Sequence, residues 1–211
     1  MRTLVLANRK GGVGKTTLAG HLAVAAARVG ERVVLMDTDP QGSLAMWWNE
    51  RKATDIAFAS AQLEQLAAQL HALSEQGYSL AVIDTPPAVT ATIARVVAAA
   101  DLVVTPTRPS PHDLRAVGDT VALCHHRRPV FIINGAASRA RLTAQAAIAL
   151  SQYGAVAPVV MYQRTDYAGS MVDGRTIQEL DPTSKGALEI AALWTYISAR
   201  LSTNSGQEEK Q

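Results

Sequence analysis

Cysteine is almost absent from this chain of 211 residues, and aromatic side chains are few. The single cysteine, Cys124, excludes an internal disulfide and an iron–sulfur cluster, which needs several thiolates. We expect it to be a buried structural thiol. No apolar run approaches the length that spans a bilayer, and the N-terminus enters a predicted strand rather than a signal peptide. These absences favour a cytoplasmic protein.

The composition favours one α/β domain of ordinary size. Apolar residues make up 48% of the chain, which is enough for a substantial core. We expect a single domain at residues 1–201 and a polar, disordered tail at residues 202–211. The net charge of +2 is too small to imply a polyanion partner by itself. The arginines are nevertheless segregated, because no acidic residue lies between Asp119 and Asp166.

Short apolar runs alternate with helical patterns along the chain. The runs predict strands at residues 4–7, 33–36, 80–83, 102–104, 130–133 and 156–161. The helical patterns occupy residues 17–29, 60–76, 93–99, 114–125, 139–153 and 187–201. This alternation predicts a doubly wound, mostly parallel sheet flanked by helices. Ligands bind at the carboxyl ends of the strands in such a sheet.

A glycine-rich segment joins the first predicted strand to the first predicted helix. It consists of Lys10, Gly11, Gly12, Val13, Gly14, Lys15, Thr16 and Thr17. Glycine lets the backbone curl until successive N–H groups form an anion cradle at a helix N-terminus. Lys15 would then reach the β- and γ-phosphates of a nucleotide, and the Thr16 hydroxyl would ligate Mg²⁺. A turn that only joins two elements needs neither residue, so the segment predicts nucleotide binding.

Carboxylates follow two other predicted strands. Asp37 and Asp39 come after the second strand, and Asp84 ends the third. The carboxyl ends of parallel strands share one edge of the sheet, so we expect these side chains to lie beside the glycine-rich loop. Asp84 is placed to hold Mg²⁺ through a bound water. Scattered, solvated acids are the alternative, and the placement at strand ends makes it the weaker one.

The glycine-rich segment resembles the deviant Walker A box of the ParA/MinD family of dimeric ATPases, which have the P-loop NTPase fold. The usual phosphate loop has glycine where this chain has Arg9, and here a second lysine, Lys10, opens the loop. The resemblance implies that Lys10 reaches the phosphates bound by the partner in an ATP-dependent homodimer. An exposed surface lysine is the alternative.

Two later segments also resemble this family. Residues 37–41 are similar to its second box, which implies that Asp39 orients the attacking water and contacts Mg²⁺ through water. Asp37 then holds Lys15 or the hydration shell of the metal, or is structural. Residues 42–48 are similar to the small plasmid partition ATPases of the ParF type, and we interpret the two tryptophans there as core or interface anchors. Lys10, Lys15 and Asp39 are the catalytic residues on this interpretation.

The resemblance also covers two positions near the middle of the chain. The proline-rich segment 106–113 implies a dimer interface linked to the nucleotide, although prolines also suit a helix entry with Ser110 or Asp113 as its cap. Asn134 occupies the position where relatives contact adenine, and asparagine in a turn is the alternative.

Five arginines fall within the acid-free stretch. They are Arg127, Arg128, Arg139, Arg141 and Arg164. Related proteins bind duplex DNA through basic residues in their C-terminal half, which implies contacts from Arg139, Arg141 and Arg164. Such contacts would be to phosphates, and therefore insensitive to base sequence and weakened by salt. Ordinary solvated arginines are the alternative.

The function that the resemblance implies is partition of a plasmid or chromosome. The ATPase, with ATP and Mg²⁺, would coat nucleoid DNA, and a centromere-binding adaptor protein of the ParB or ParG kind would stimulate hydrolysis. We expect the small class of these ATPases, since no helix-turn-helix extension precedes the first strand.

Three alternatives to partition remain. A positioning ATPase for a protein cargo, such as a chemoreceptor array or a carboxysome, would share every motif. A MinD-like membrane cycler needs a C-terminal amphipathic helix, which residues 203–211 do not provide. A metabolic or assembly NTPase on the same fold is the third, and it would show neither ATP-dependent dimerisation nor DNA retention.

Overall fold

A computed structural model describes residues 1–87, 91–124, 127, 129–138 and 141–208. The strands are β1 (Arg2–Leu6), β2 (Val33–Asp37), β3 (Ile56–Phe58), β4 (Leu80–Asp84), β5 (Leu102–Thr107), β6 (Val130–Ala136), β7 (Ala155–Val156) and β8 (Met161–Tyr162). The helices are α1 (Lys15–Arg28), α2 (Ser43–Glu50), α3 (Leu66–Glu75), α4 (Ala91–Ala98), α5 (Pro111–Arg115), α6 (Val117–Cys124), α7 (Arg141–Ser151), α8 (Thr165–Gly169), α9 (Ile177–Leu180) and α10 (Lys185–Glu208).

The strands form one sheet in the order β3-β2-β4-β1-β5-β6-β7, with β8 also paired to β6. Every pairing among the described strands is parallel. Parallel neighbours need crossover connections, and helices supply them on both faces. The predicted parallel sheet flanked by helices is therefore confirmed, and β1, which precedes the glycine-rich loop, lies at its centre.

Side chains of the central strands are buried on both faces of the sheet. Leu4 belongs to a core cluster that includes Leu22 of α1 and Ile190 of α10. Val5, its neighbour on β1, faces the opposite cluster with Val96 of α4. Cys124 is buried in that second cluster as a free thiol, as predicted, and burial raises its pKa to about 11.

Several short elements were not predicted from the sequence. Helix α2, strand β3 and helices α8 and α9 lie in stretches for which no element was predicted. The single strand predicted at 156–161 is instead the pair β7 and β8, with Pro158 between them. Proline has no N–H group to donate to a strand ladder, which explains the interruption. The helix predicted at 114–125 is likewise two helices, α5 and α6.

Helix α10 runs past its predicted end at residue 201. Ser202 Oγ donates to the carbonyl of Ser198 at 3.0 Å, and Thr203 Oγ1 donates to that of Ala199 at 2.8 Å. Hydrogen bonds of this kind are compatible with a helix but do not stabilise it. Residues 202–208 of the expected disordered tail are thus helical. None of the described helices is both long enough and apolar enough to cross a membrane.

Candidate nucleotide site

The glycine-rich loop lies between β1 and α1, at the carboxyl edge of the sheet. Gly12 and Gly14 adopt left-handed backbone conformations, with φ values of 70° and 94°. A Cβ atom at Gly14 would collide with Nδ2 of Asn134, so a side chain at this position would displace Asn134 from its hydrogen bond to Val13. The first turn of α1 carries no acidic residue. Its unpaired N–H groups and the helix dipole therefore favour an anion at this end.

The loop forms one wall of a cavity of about 390 Å³. Residues from several strand ends form the other walls; they include Asp39, Arg108, Asn134, Gly135, Tyr162, Gln163 and Arg164. The cavity therefore collects the phosphate loop and the ends of β5, β6 and β8 around one space, as expected for a ligand site of a doubly wound sheet.

Lys15 and Asp84 are two buried ionisable residues at this edge of the sheet, at the start of α1 and at the end of β4. Lys15 is buried, and its Nζ lies 3.3 Å from the carbonyl oxygen of Lys10. Burial lowers the pKa of Lys15, while the charges of Asp84 and Asp39 act in the opposite direction. Burial raises the pKa of Asp84 to about 7, and the Asp37 carboxylate adds to that rise, whereas a hydrogen bond from Thr16 opposes it. The hydrogen bond from Thr16 shows that the end of β4 lies beside the glycine-rich loop, as predicted.

Thr16 and Asp84 form an oxygen-only donor set that fits Mg²⁺. Thr16 Oγ1 donates to Asp84 Oδ2 at 2.5 Å. Mg²⁺ takes few protein ligands and keeps waters and phosphate oxygens in its octahedron. Among the described residues there is no cluster of three or more His, Cys, Asp or Glu side chains that could hold a metal by themselves. The site thus suits a metal that arrives with a nucleotide.

Asp37 is satisfied by the backbone that follows it. Its Oδ2 accepts hydrogen bonds from the N–H groups of Leu44 and Ala45 at 3.0 and 3.2 Å, in the first turn of α2. Its Oδ1 accepts from the N–H of Asp39 at 2.9 Å. These contacts favour the structural interpretation of Asp37. Asp39 itself lines the cavity, and its Oδ1 accepts from the Gln41 N–H at 3.0 Å.

The opposite end of α2 is also fixed. The guanidinium of Arg51, only 1% exposed, contacts Glu179 at 2.8 Å and Asp55 at 2.9 Å. It also donates to the carbonyl oxygen of Gly174 at 2.8 Å. Trp47 of the same helix is buried, which confirms that it is a core anchor. The segment that begins with Asp39 is therefore attached to the sheet at one end and to residues 174–179 at the other.

The first residues of the loop contact β5 and the two helices that follow it. Lys10 Nζ forms an ion pair with Asp113 Oδ1 at 3.1 Å, and Arg9 forms one with Asp119. Asn8 Nδ2 donates to the carbonyl oxygen of Pro106 at 2.8 Å. Lys10 therefore has a partner within its own chain. The contact of Lys10 across a dimer stays a prediction.

The proline-rich segment serves as a helix entry. Ser110 Oγ accepts from the Asp113 N–H at 3.2 Å and caps α5, whose first residue is Pro111. Ser110 is thus the predicted cap. The interface role of the segment remains a prediction.

Asn134 supports the phosphate loop. It lies near the end of β6 rather than in a turn, and its Nδ2 donates to the carbonyl oxygen of Val13 at 2.7 Å. The side chain also lines the cavity, so its predicted contact with adenine stays open.

The three arginines predicted to bind DNA have different surroundings. Arg141 is exposed in the first turn of α7. Arg164 forms an ion pair with Glu189 and lies 5.8 Å above the ring of Tyr162. Arg139 lies outside the described residues. Glu189 neutralises part of the positive charge with which Arg164 would attract a DNA phosphate.

Sequence reasoning missed Arg108 and Gln163 as cavity residues. Arg108 follows β5, and Gln163 follows β8. The prediction ended the first of these strands at residue 104 and did not separate the second. A correct placement of the strand ends would have pointed to both side chains.

Known proteins share both the sequence and the fold of this chain. A maintenance of carboxysome distribution protein A from Gloeobacter kilaueensis is 52% identical over 122 residues, which are 57% of this chain and 55% of that protein. The chromosome-partitioning ATPase Soj of Thermus thermophilus is 32% identical over 151 residues, which are 58% of this chain and 61% of Soj. The chain thus spans little more than half the length of these relatives.

A solved structure and a family model cover more of the chain. The Aquifex aeolicus MinD cell division protein has a TM-score of 0.80, with 17% identity over 94% of this chain and 98% of that one. Residues 4–177 match the model of the CobQ/CobB/MinD/ParA nucleotide binding domain. Since this match spans most of the residues around the cavity, the chain belongs to the CobQ/CobB/MinD/ParA family of nucleotide-binding domains.

Proposed function

We propose that this chain is an ATP-dependent, dimer-forming ATPase that positions a cargo on DNA. One observation carries the proposal: a phosphate loop, the buried Lys15 and the carboxylate Asp39 line a single cavity. The loop and Lys15 supply what a triphosphate needs, and Asp39 supplies a base or water-orienting group beside it. The relationship to positioning and partitioning ATPases supports the same conclusion.

The chemistry follows from charge and position. The triphosphate would lie along Gly11 to Thr17, with Lys15 facing the β- and γ-phosphates and Asp39 orienting the attacking water. Thr16, and Asp84 through a water, would hold Mg²⁺, which when bound neutralises charge on the phosphate oxygens. Phosphoryl transfer needs little beyond positioning and charge neutralisation, and these residues would supply both, together with Lys10 of the partner subunit in the dimer.

Two kinds of cargo fit this ATPase. Partition of a plasmid or chromosome, through a centromere-binding adaptor, is supported by the relationship to the partitioning ATPase Soj. Positioning of a protein assembly is supported by the 52% identity to a carboxysome distribution protein. Cells lacking the gene should lose a marked plasmid in the first case, and should mislocalise a protein assembly in the second.

Replacing Lys10 with alanine should separate nucleotide binding from dimer formation. Lys10 opens the loop but does not line the cavity in the single chain, where Asp113 holds its ammonium group. We therefore expect the variant to bind ADP like the parent protein but to form little dimer with ATP and to hydrolyse it slowly. Light scattering with ATP and with ADP, together with phosphate release, measures these properties.

The matched control for Lys10→Ala is Arg9→Ala. Arg9 is the neighbouring loop cation, also paired within the chain, and has no assigned role at the phosphates. Equal dimerisation and turnover in Lys10→Ala and the parent would show that Lys10 is a surface residue. A parent protein that neither dimerises nor hydrolyses ATP would reject the proposed function itself.

DNA binding should depend on nucleotide and on three cations of the C-terminal half, Arg139, Arg141 and Arg164. We expect the triple change of Arg139, Arg141 and Arg164 to alanine to weaken binding of an arbitrary-sequence duplex about tenfold or more in the presence of ATP. Fluorescence anisotropy across a salt series measures it, and the salt dependence should become shallower because phosphate contacts are lost.

Arg200→Ala is the control for the DNA experiment, because Arg200 is an exposed cation on α10 that lies above the ring of Tyr196. Glu189→Gln frees Arg164 from its ion pair and should strengthen binding. Binding that ignores the nucleotide, or that the triple change leaves intact, would contradict this interface.

A further inference from the structure

Arg108 is a cation of the nucleotide cavity that has no acidic partner among the described residues. Other cations near the site are neutralised: Arg9 by Asp119, Lys10 by Asp113 and Arg164 by Glu189. The side chain of Arg108 is exposed and lines the cavity. The three acids named above pair with other residues. A guanidinium in this position is available to a ligand.

The backbone that carries Arg108 is rigid. It lies between Pro106 and Pro109, and a residue before proline is restricted to extended conformations. The carbonyl oxygen of Pro106 accepts from Asn8 at 2.8 Å, and the carbonyl oxygen of Arg108 accepts from the Ser110 N–H at 2.8 Å. Thr107 is buried. The base of the side chain is thus fixed before any ligand arrives, which lowers the entropy cost of binding.

The stem of Arg108 lies across a glycine next to the phosphate loop. A Cβ atom at Gly135 would be 3.9 Å from both Cγ and Nε of Arg108, so the guanidinium group starts beside Gly135. The preceding residue, Asn134, donates to the carbonyl oxygen of Val13 in the loop. Arg108 therefore lies beside the point where β6 meets the phosphate loop, in the space that leads to Lys15.

We infer that Arg108 binds the phosphate chain of the nucleotide, as a second cation beside Lys15. The inference rests on the proposed nucleotide binding. A polyphosphate carries several negative charges, more than the single ammonium group of Lys15 can neutralise. The planar fork of a guanidinium matches phosphate oxygens in two parallel hydrogen bonds. Arg108 supplies this fork from the segment that follows β5, outside the glycine-rich motif.

The test compares Arg108→Ala and Arg108→Lys with the parent protein. Displacement of a fluorescent ADP analogue by ADP and by inorganic tripolyphosphate measures the affinity of each variant. We expect Arg108→Ala to weaken both ligands about tenfold, and Arg108→Lys to restore part of the loss, since it keeps the charge but not the fork. Arg115 is an exposed arginine on α5 that does not line the cavity. Arg115→Ala should therefore bind both ligands like the parent protein.

The outcomes separate this inference from the proposed function. If the parent binds ADP and Arg108→Ala binds it equally well, the inference is wrong and the nucleotide site stands. If Arg108→Ala loses affinity for ADP but not for tripolyphosphate, the contact is to the nucleoside, which also overturns it. If the parent binds neither ligand, the nucleotide site itself is rejected. Arg108→Lys keeps the comparison valid should Arg108→Ala fold poorly.

Discussion

ATP binding should be lost when Lys15 is replaced by alanine. Lys15 is buried at the start of α1, beside Asp84 and Asp39, and it lines the cavity below the glycine-rich loop. Removing it deletes the main cation facing the phosphates and leaves those carboxylates to repel an anion. Loss of one partner of a buried charge pair costs several kcal/mol, so the affinity should fall about 100-fold or more. Isothermal titration with ATP and Mg²⁺ measures the change.

Lys52→Ala is a suitable control for that experiment, because Lys52 is exposed and does not line the cavity. Thermal unfolding of both variants without nucleotide shows whether the fold is intact. An unchanged ATP affinity in a folded Lys15→Ala protein would mean that the phosphate-loop assignment is wrong.

Asp39→Ala should have the second largest effect, and on turnover rather than on binding. Asp39 lines the cavity, but its carboxylate is not part of the glycine cradle that would hold the phosphates. We expect the variant to bind ATP and to dimerise, while hydrolysis falls about 100-fold or more, the contribution typical of a positioned base. Gel filtration with ATP and Mg²⁺ and a phosphate-release assay measure the two properties.

Asp39→Asn refines the same prediction. An asparagine Oδ1 can still accept the hydrogen bond from the Gln41 N–H, so the local turn is kept while the charge is removed. Asp39→Asn should therefore be as slow as Asp39→Ala. Turnover equal to that of the parent would remove Asp39 from the catalytic group.

The central fold and the loop of the candidate nucleotide site could be predicted from the sequence because their signals are local. An apolar run, two left-handed glycines and the Lys15–Thr16 pair lie within one strand–loop–helix unit. Asp84 was also correctly placed, since it ends a buried strand that pairs directly with β1, with Leu6 opposite it in the register. Such features depend on chain neighbours and on the general geometry of parallel sheets.

The remaining parts depend on contacts between distant segments. Nothing near Lys10 in the sequence indicates that Asp113 holds it, and nothing near Arg164 indicates Glu189. The three-residue strand β3 lies at the sheet edge and is too short for a periodic pattern. Arg108 and Gln163 were missed for a related reason, because their place in the cavity depends on where β5 and β8 end.

Helix α2 links two distant parts of the chain mechanically. Its eight residues are held at the start by Asp37 and, through Arg51, at the end by Glu179 and Gly174. A displacement of residues 174–179 would therefore be transmitted through α2 to the turn that carries Asp39. The position of Asp39 at the cavity thus depends on residues that lie far from it in the sequence.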